Sequence, residues 1–224
     1  MKKLLPPILG TFVVLFVCSA PLRAEELTRF SALPGGKVRI EGTSTIHDWQ
    51  MEGHLIGGRL EVGAGFPTEP GQAATPGKME AKVSAVIPVS SLSSLEKDGK
   101  PYSSKMDDIA RGKLRMDVAP LIAYQLDELV LKETPKTPDA PYLFDAKGRL
   151  AVAGVTNSIS MPVTVTPLGN KKLKITGQVA VKMTDYKIEP PAPVGLLITT
   201  GDEVKLSFEW MVGQKAAAPT TSPK

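Results

Sequence analysis

His47-Asp48 is the pair in this chain best equipped for chemistry, since an imidazole beside a carboxylate can move a proton or help hold a metal. A zinc site needs three or four converging His, Cys or carboxylate ligands, and the sequence has 2 histidines. The second, His54, lies an odd number of residues further on, so on one continuous strand the two rings would point to opposite faces. The single cysteine, Cys18, falls in the N-terminal apolar segment. No Gly-x-Ser-x-Gly elbow is present, and Gly35-Gly36 and Gly57-Gly58 lack a following helix and lysine, so they read as turns. The plain alternative for His47-Asp48 is a turn in which Asp48 and the hydroxyls of Thr43, Ser44 and Thr45 bond the backbone. An enzyme is the weakest reading. No catalytic residue, metal or cofactor is assigned.

The elements around that pair read as strands. Val38, Ile40 and Gly42 alternate with Arg39 and Glu41, and Trp49, Met51 and Gly53 alternate with Gln50, Glu52 and His54. This is a hairpin with His47-Asp48 at its rim. Gly63 to Gly77 is rich in Gly, Pro, Ala and Thr and is expected to be a surface loop or mobile connection. Met79 to Val89 alternates over the longest clean stretch. Ser90 to Gly112 is the one helical insertion: Ser103 or Ser104 caps it, Asp107 and Asp108 sit in its first turn, and Met106, Ile109 and Ala110 share a face. So short a helix needs a surface to lie on, and a barrel opening supplies one. Arg111, Lys113 and Arg115 cluster at its end.

Strands recur from Leu121, through a pair begun by Tyr142 and Phe144 and resumed at Leu150, Val152 and Gly154 after Lys147-Gly148, then Ile159–Val165 and Leu173–Met183, to Val204–Trp210. Proline-bearing connections occupy Thr134–Pro141 and Glu189–Gly201. About eight or nine strands joined mostly by short turns must run antiparallel, because parallel neighbours need long crossovers. Alternation alone permits a sandwich or a closed barrel.

Residues 1–24 have the form of a secretory signal peptide: Lys2 and Lys3, a short apolar run, then Leu22-Arg23-Ala24. The apolar run is too short to span a bilayer, so no transmembrane segment is expected in the mature chain. Val17 stands where lipoprotein cleavage wants a small residue, which disfavours lipid attachment at Cys18. Removing the leader takes Lys2, Lys3 and Arg23 from the 27 basic residues and leaves 24 against 23 acidic ones. That near-neutral balance does not indicate a nucleic-acid partner. Residues 25–213 form the expected domain, and 214–224 a disordered tail.

Gly42-Thr-Ser-Thr-Ile-His-Asp-Trp49 resembles the opening signature of the lipocalin-like, polyisoprenoid-binding YceI family. Pro120-Leu-Ile-Ala-Tyr124, Gly154-Val-Thr156, Ile159-Ser-Met-Pro162 and Met183-Thr-Asp-Tyr186 follow in the family's order, spanning Phe30 to Val212. The resemblance implies an all-β, single antiparallel lipocalin-like barrel of about eight strands with one short helical insertion. It implies a non-catalytic periplasmic or secreted carrier for an isoprenoid quinone, polyprenyl phosphate or similar amphiphile along the barrel axis. Trp49, Val83, Ala85, Ile87, Ile122, Tyr124, Met161, Val163, Ile175, Val181, Leu206, Phe208 and Trp210 would then wall the ligand site. His47, Arg111, Lys113 and Arg115 would meet a head group at the rim. Small inward positions (Ala81, Ala85, Gly154, Gly177) favour such a space. The same stripes also suit a filled barrel that docks proteins of the cell envelope through the Glu189–Gly201 loop, apolar at Leu196-Leu197-Ile198.

Overall fold

The computed structural model describes residues 27–192 and 198–214; the expected leader, the expected tail from 215 on, and Val194, Leu196 and Leu197 lie outside the described residues. The strands are β1 (Thr28–Ala32), β2 (Lys37–Ser44), β3 (Trp49–Gly53), β4 (Gly57–Val62), β5 (Gly77–Met79), β6 (Ala81–Pro88), β7 (Ser93–Leu95), β8 (Leu121–Glu133), β9 (Tyr142–Val152), β10 (Val155–Gly169), β11 (Lys172–Lys182) and β12 (Thr200–Gly213). All pair antiparallel.

Several of these strands are pieces of longer, bent ones. β1 and β2 run along the same edge of β12, with Ala32 opposite Val212 and Val38 opposite Phe208. β3 and β4 follow in step, with Gly53 opposite Val38 and Arg59 opposite Ser31. β5 and β6 lie along β8, and β6 and β7 along the β3–β4 strand. Eight bent strands therefore form a meander, and β12 returns to β1 and β2 to close the barrel. Gly57-Gly58, expected as a turn, instead bends a continuing strand. Gly58 has φ 127, and a Cβ there would strike the Ser84 backbone.

One end of the barrel is solid. Phe30, Leu60, Val62, Tyr142, Phe144, Leu173, Trp210 and Val212 are buried there. The 63–77 connection runs largely over the surface, as expected, but also tucks Phe66 and Pro67 beneath this end as a plug. Phe66 is 2% exposed and stacks on Phe144 at 5.6 Å and 16°. Gln72 Oε1 accepts from the Thr68 and Glu69 amides at 2.8 and 3.1 Å, and the Tyr142 hydroxyl donates to the Gln72 carbonyl. A few polar bonds thus pin an otherwise featureless segment so that one aromatic ring can seal the core.

The helix α1 (Ser104–Lys113) lies over the other end. Ser103 holds the extended N-cap position but makes no side-chain cap bond. Asp107 in the first turn and Lys113 in the last suit the helix dipole. Asp107 Oδ1 accepts the Ser94 amide at 2.6 Å, and Ser94 Oγ donates to the Ser103 carbonyl at 3.1 Å, tying α1 to β7.

Alternation misplaces Glu52, which points outward yet is 9% exposed. Arg39 donates to its Oε2 at 2.9 and 2.7 Å, while His54 Nε2 lies 3.3 Å from Oε1. Paired guanidinium and carboxylate tolerate this burial where an unpaired carboxylate would not.

Candidate functional site: a cavity under the helix

Beneath α1 the barrel is hollow. The cavity measures about 1010 Å³, at the upper end of the range for small-molecule sites. Its wall includes Ile40, Met51, Ile122, Val152, Val181, Val204 and Leu206, one or two from each of six strands. Met106, Ile109 and Ala110 of α1, with Leu114 at its C-terminal cap, close the top with Tyr102. Met183, Tyr186 and Ile188, from the turn after β11, line it from the side. Its rim carries both signs of charge, with Glu41, Asp48, Glu96 and Glu203 beside Lys97, Lys113, Lys182 and Lys205. Lys113 Nζ reaches Glu189 Oε2 at 3.4 Å and so links the end of α1 to the segment after β11.

Of the residues expected to wall a ligand, Trp49, Ile122, Val181 and Leu206 line this cavity. Met161, Val163, Ile175 and Trp210 are buried in the packed core instead. Val83, Ala85, Ile87, Tyr124 and Phe208 are half-buried against that core and are outside the cavity lining. At the rim, His47 and Lys113 line the cavity. Arg111 is drawn to Asp108, 3.3 Å away, and Arg115 is exposed with φ 55; neither lines the cavity. Sequence reasoning missed the apolar lining from α1 and from Met183–Ile188, although Met106, Ile109 and Ala110 are recognisable as one apolar face.

The His47 ring meets the backbone of Asp48. Its Nδ1 lies 2.8 Å from the Asp48 carbonyl oxygen, and its ring meets Tyr102 edge-on at 6.0 Å and 81°. Ser44 Oγ organises the turn, donating to the His47 carbonyl at 2.7 Å and accepting from the Ile46 and His47 amides. Thr45 Oγ1 accepts from the Thr199 amide at 3.2 Å. His47 and His54 stand at opposite ends of β3, and among the described residues no group of three His, Cys, Asp or Glu gathers for a metal.

Glycines lay three aromatic rings against the wall. Gly42 is directly opposite Trp49 and Gly177 opposite Phe208; Gly148 lies beneath the Tyr124 ring. A Cβ at any of these positions would collide with the ring above it. Gly177 therefore creates no cavity by itself; its vacancy is filled by Phe208, and Gly154 sits in the β9–β10 turn with φ 82. What these glycines do is keep bulky rings from standing across the lumen. Gly42→Val is expected to lift Trp49 from its seat, break its Nε1 bond to the Thr43 carbonyl (3.2 Å), and cost about 1–3 kcal/mol as overpacking does. Urea unfolding and a changed Trp49 emission would register it.

Tyr124 carries a buried hydroxyl with no hydrogen-bond partner. Burial, helped by the nearby Asp127 charge, pushes its ionisation up to about 12 from 10.0. The folded state keeps this proton where the unfolded chain loses it. Its contribution is therefore complete below pH 10 and declines as pH rises towards 12. Tyr124→Phe is expected to flatten the loss of stability across that window, measured by denaturant midpoints at pH 9 to 12.

A closed antiparallel barrel, plugged at one end and hollow under a helix at the other, defines the lipocalin-like class of fold. Within that class the chain belongs to the YceI-like domain family, whose profile matches residues 35–212. Two solved structures are similar at fold level. BcnA of Burkholderia cenocepacia superposes with a TM-score of 0.54 at 15% identity, covering 79% of this chain and 95% of that one. A polyisoprenoid binding domain from Saccharophagus degradans gives 0.58 at 13% identity, covering 83% and 98%. No curated protein sequence matches. Among the described residues no helix is long and apolar enough to cross a membrane.

Proposed function

We propose that this protein is a non-catalytic carrier, periplasmic or secreted, that holds the chain of an isoprenoid lipid or similar amphiphile in the hollow end of its barrel. The observation that carries the reading is the cavity of about 1010 Å³ with apolar walls and a charged rim. If each chain carbon takes about 30 Å³, the liquid volume of one water, that space holds on the order of thirty carbons. Each methylene transferred from water contributes about 0.8 kcal/mol, so a long chain binds without specific contacts. The mixed rim suits a polar head left in water: Lys113 and His47 can face a phosphate or a quinone oxygen. Membership of the family, and the polyisoprenoid-binding neighbour, support the same ligand class.

Solvent extraction of protein purified without lipid stripping, followed by mass spectrometry, is expected to release a long-chain lipid. Added polyprenyl phosphate or isoprenoid quinone should raise the melting temperature of delipidated protein. A clean extract together with no thermal shift would defeat the proposal.

A further inference from the structure

At the hollow end, nearly every seam of the barrel is hydrogen-bonded to its last residues. Ser44 pairs Thr200, Trp49 pairs Gly42, Pro88 pairs Leu121, Val152 pairs Val155 and Lys182 pairs Glu203. The β10–β11 seam differs. Its pairing stops at Val163 opposite Gly177, although β10 begins eight residues earlier at Val155 and β11 runs on to Lys182. Pro162 stands where the ladder ends, and it has no N–H to extend one.

A second cavity, about 460 Å³, occupies this split between Asn157–Ser160 and Val179–Val181. Val181 and Tyr186 line both it and the main cavity. Tyr186 is 3% exposed, and burial pushes its ionisation up. Its turn is anchored on either side of the split. Asn157 Nδ2 donates to the Asp185 carbonyl at 2.8 Å, and the Thr184 amide and hydroxyl donate to Asp202 at 2.9 and 2.6 Å. A buried side chain thus stands in the lining of both spaces, with Asn157 the polar side chain nearest to its hydroxyl.

We infer that the β10–β11 seam is a lateral port through which the apolar chain of the bound amphiphile slides in and out, with Tyr186 as its gate. The inference rests on the carrier reading and adds a route to it. The main mouth lies under α1, which is tied to β7 and linked to Glu189, whereas at the split a single buried ring, Tyr186, is shared by the linings of both spaces. A flexible hydrocarbon chain can thread such a slot sideways and leave its head at the rim. Its tail passes between Ile159 and Val179.

Ser160 and Ala180 would face each other if the ladder continued, and both are exposed at the split. The test joins them. In a Cys18→Ser background the S160C/A180C protein has no other cysteine, and a short bis-maleimide bridges the seam. Binding of a short-chain isoprenoid quinone is followed by tryptophan quenching, at equilibrium and by stopped flow. The port predicts association and release at least tenfold slower after bridging, with Kd within twofold of singly modified controls. It also predicts that Tyr186→Ala speeds both steps in the unbridged protein. Unchanged rates in both experiments, or loss of equilibrium binding on bridging, would overturn the port. Absence of quinone binding by the unmodified protein would instead defeat the carrier reading itself.

Discussion

Replacing Ile122 and Leu206 together by tryptophan is expected to weaken binding of a long isoprenoid chain at least a hundredfold while leaving the protein folded. The two residues belong to β8 and β12, which stand on opposite sides of the eight-strand ring, and both line the hollow end. The interior of an eight-strand barrel is only wide enough to hold its own side chains or one slender guest. Two indoles projecting from facing walls therefore meet across the lumen. A hundredfold loss is about 2.7 kcal/mol, the transfer contribution of only three or four methylenes, so even partial exclusion of the chain exceeds it. Filling apolar space that no side chain occupies adds contacts, so the melting temperature of lipid-free protein should hold or rise. Titration with isoprenoid quinone alongside thermal unfolding checks both halves. Unimpaired binding by a folded double variant would place the ligand outside the barrel.

The opposite end should respond in the opposite sense. Phe66→Ala is expected to cost about 3–5 kcal/mol, the usual range for truncating a fully buried aromatic ring. Phe66 is 2% exposed and stacks on Phe144, so its loss opens the sealed end directly onto the core. For a chain of this size, a drop of roughly 10 °C in melting temperature follows. Ligand affinity should change little at temperatures where the variant is folded, because Phe66 does not line the cavity. Differential scanning calorimetry with and without isoprenoid quinone separates the two effects. A ligand-dependent loss of affinity larger than the loss of stability would show that the chain reaches the packed half.

These two results divide the molecule in a way its sequence does not. Strand alternation places Val38, Ile122, Met161, Ile175, Val181 and Trp210 on the inner face with equal clarity. Alternation reports which side of the sheet a residue faces, not how far along the axis the opposing wall is filled. Met161 and Trp210 therefore look like Val181 and Leu206 in the sequence, yet only the latter two meet open space. The antiparallel strands, the His47-Asp48 rim and the short helix were legible from local patterns, whereas closure into a barrel was implied only by the family resemblance. The plug was not, because Phe66 is a lone ring in a segment of Gly, Pro, Ala and Thr whose composition reads as a loop. Glu52 was misleading for a different reason. Its burial depends on Arg39 across the hairpin, a pairing that period-two counting does not weigh. The bend at Gly57-Gly58 imitates a turn for the same cause as it bends the strand: glycine reaches a φ that other residues avoid.

The most direct test of a half-hollow carrier is a crystal structure of the protein purified with its natural lipid retained. The account predicts a continuous, chain-shaped ligand between Ile122, Val181 and Val204, its head beside His47 and Lys113, and none between Phe144 and Trp210. Repacked side chains or ordered water filling the space under α1, with lipid absent or bound on the outer surface, would contradict it.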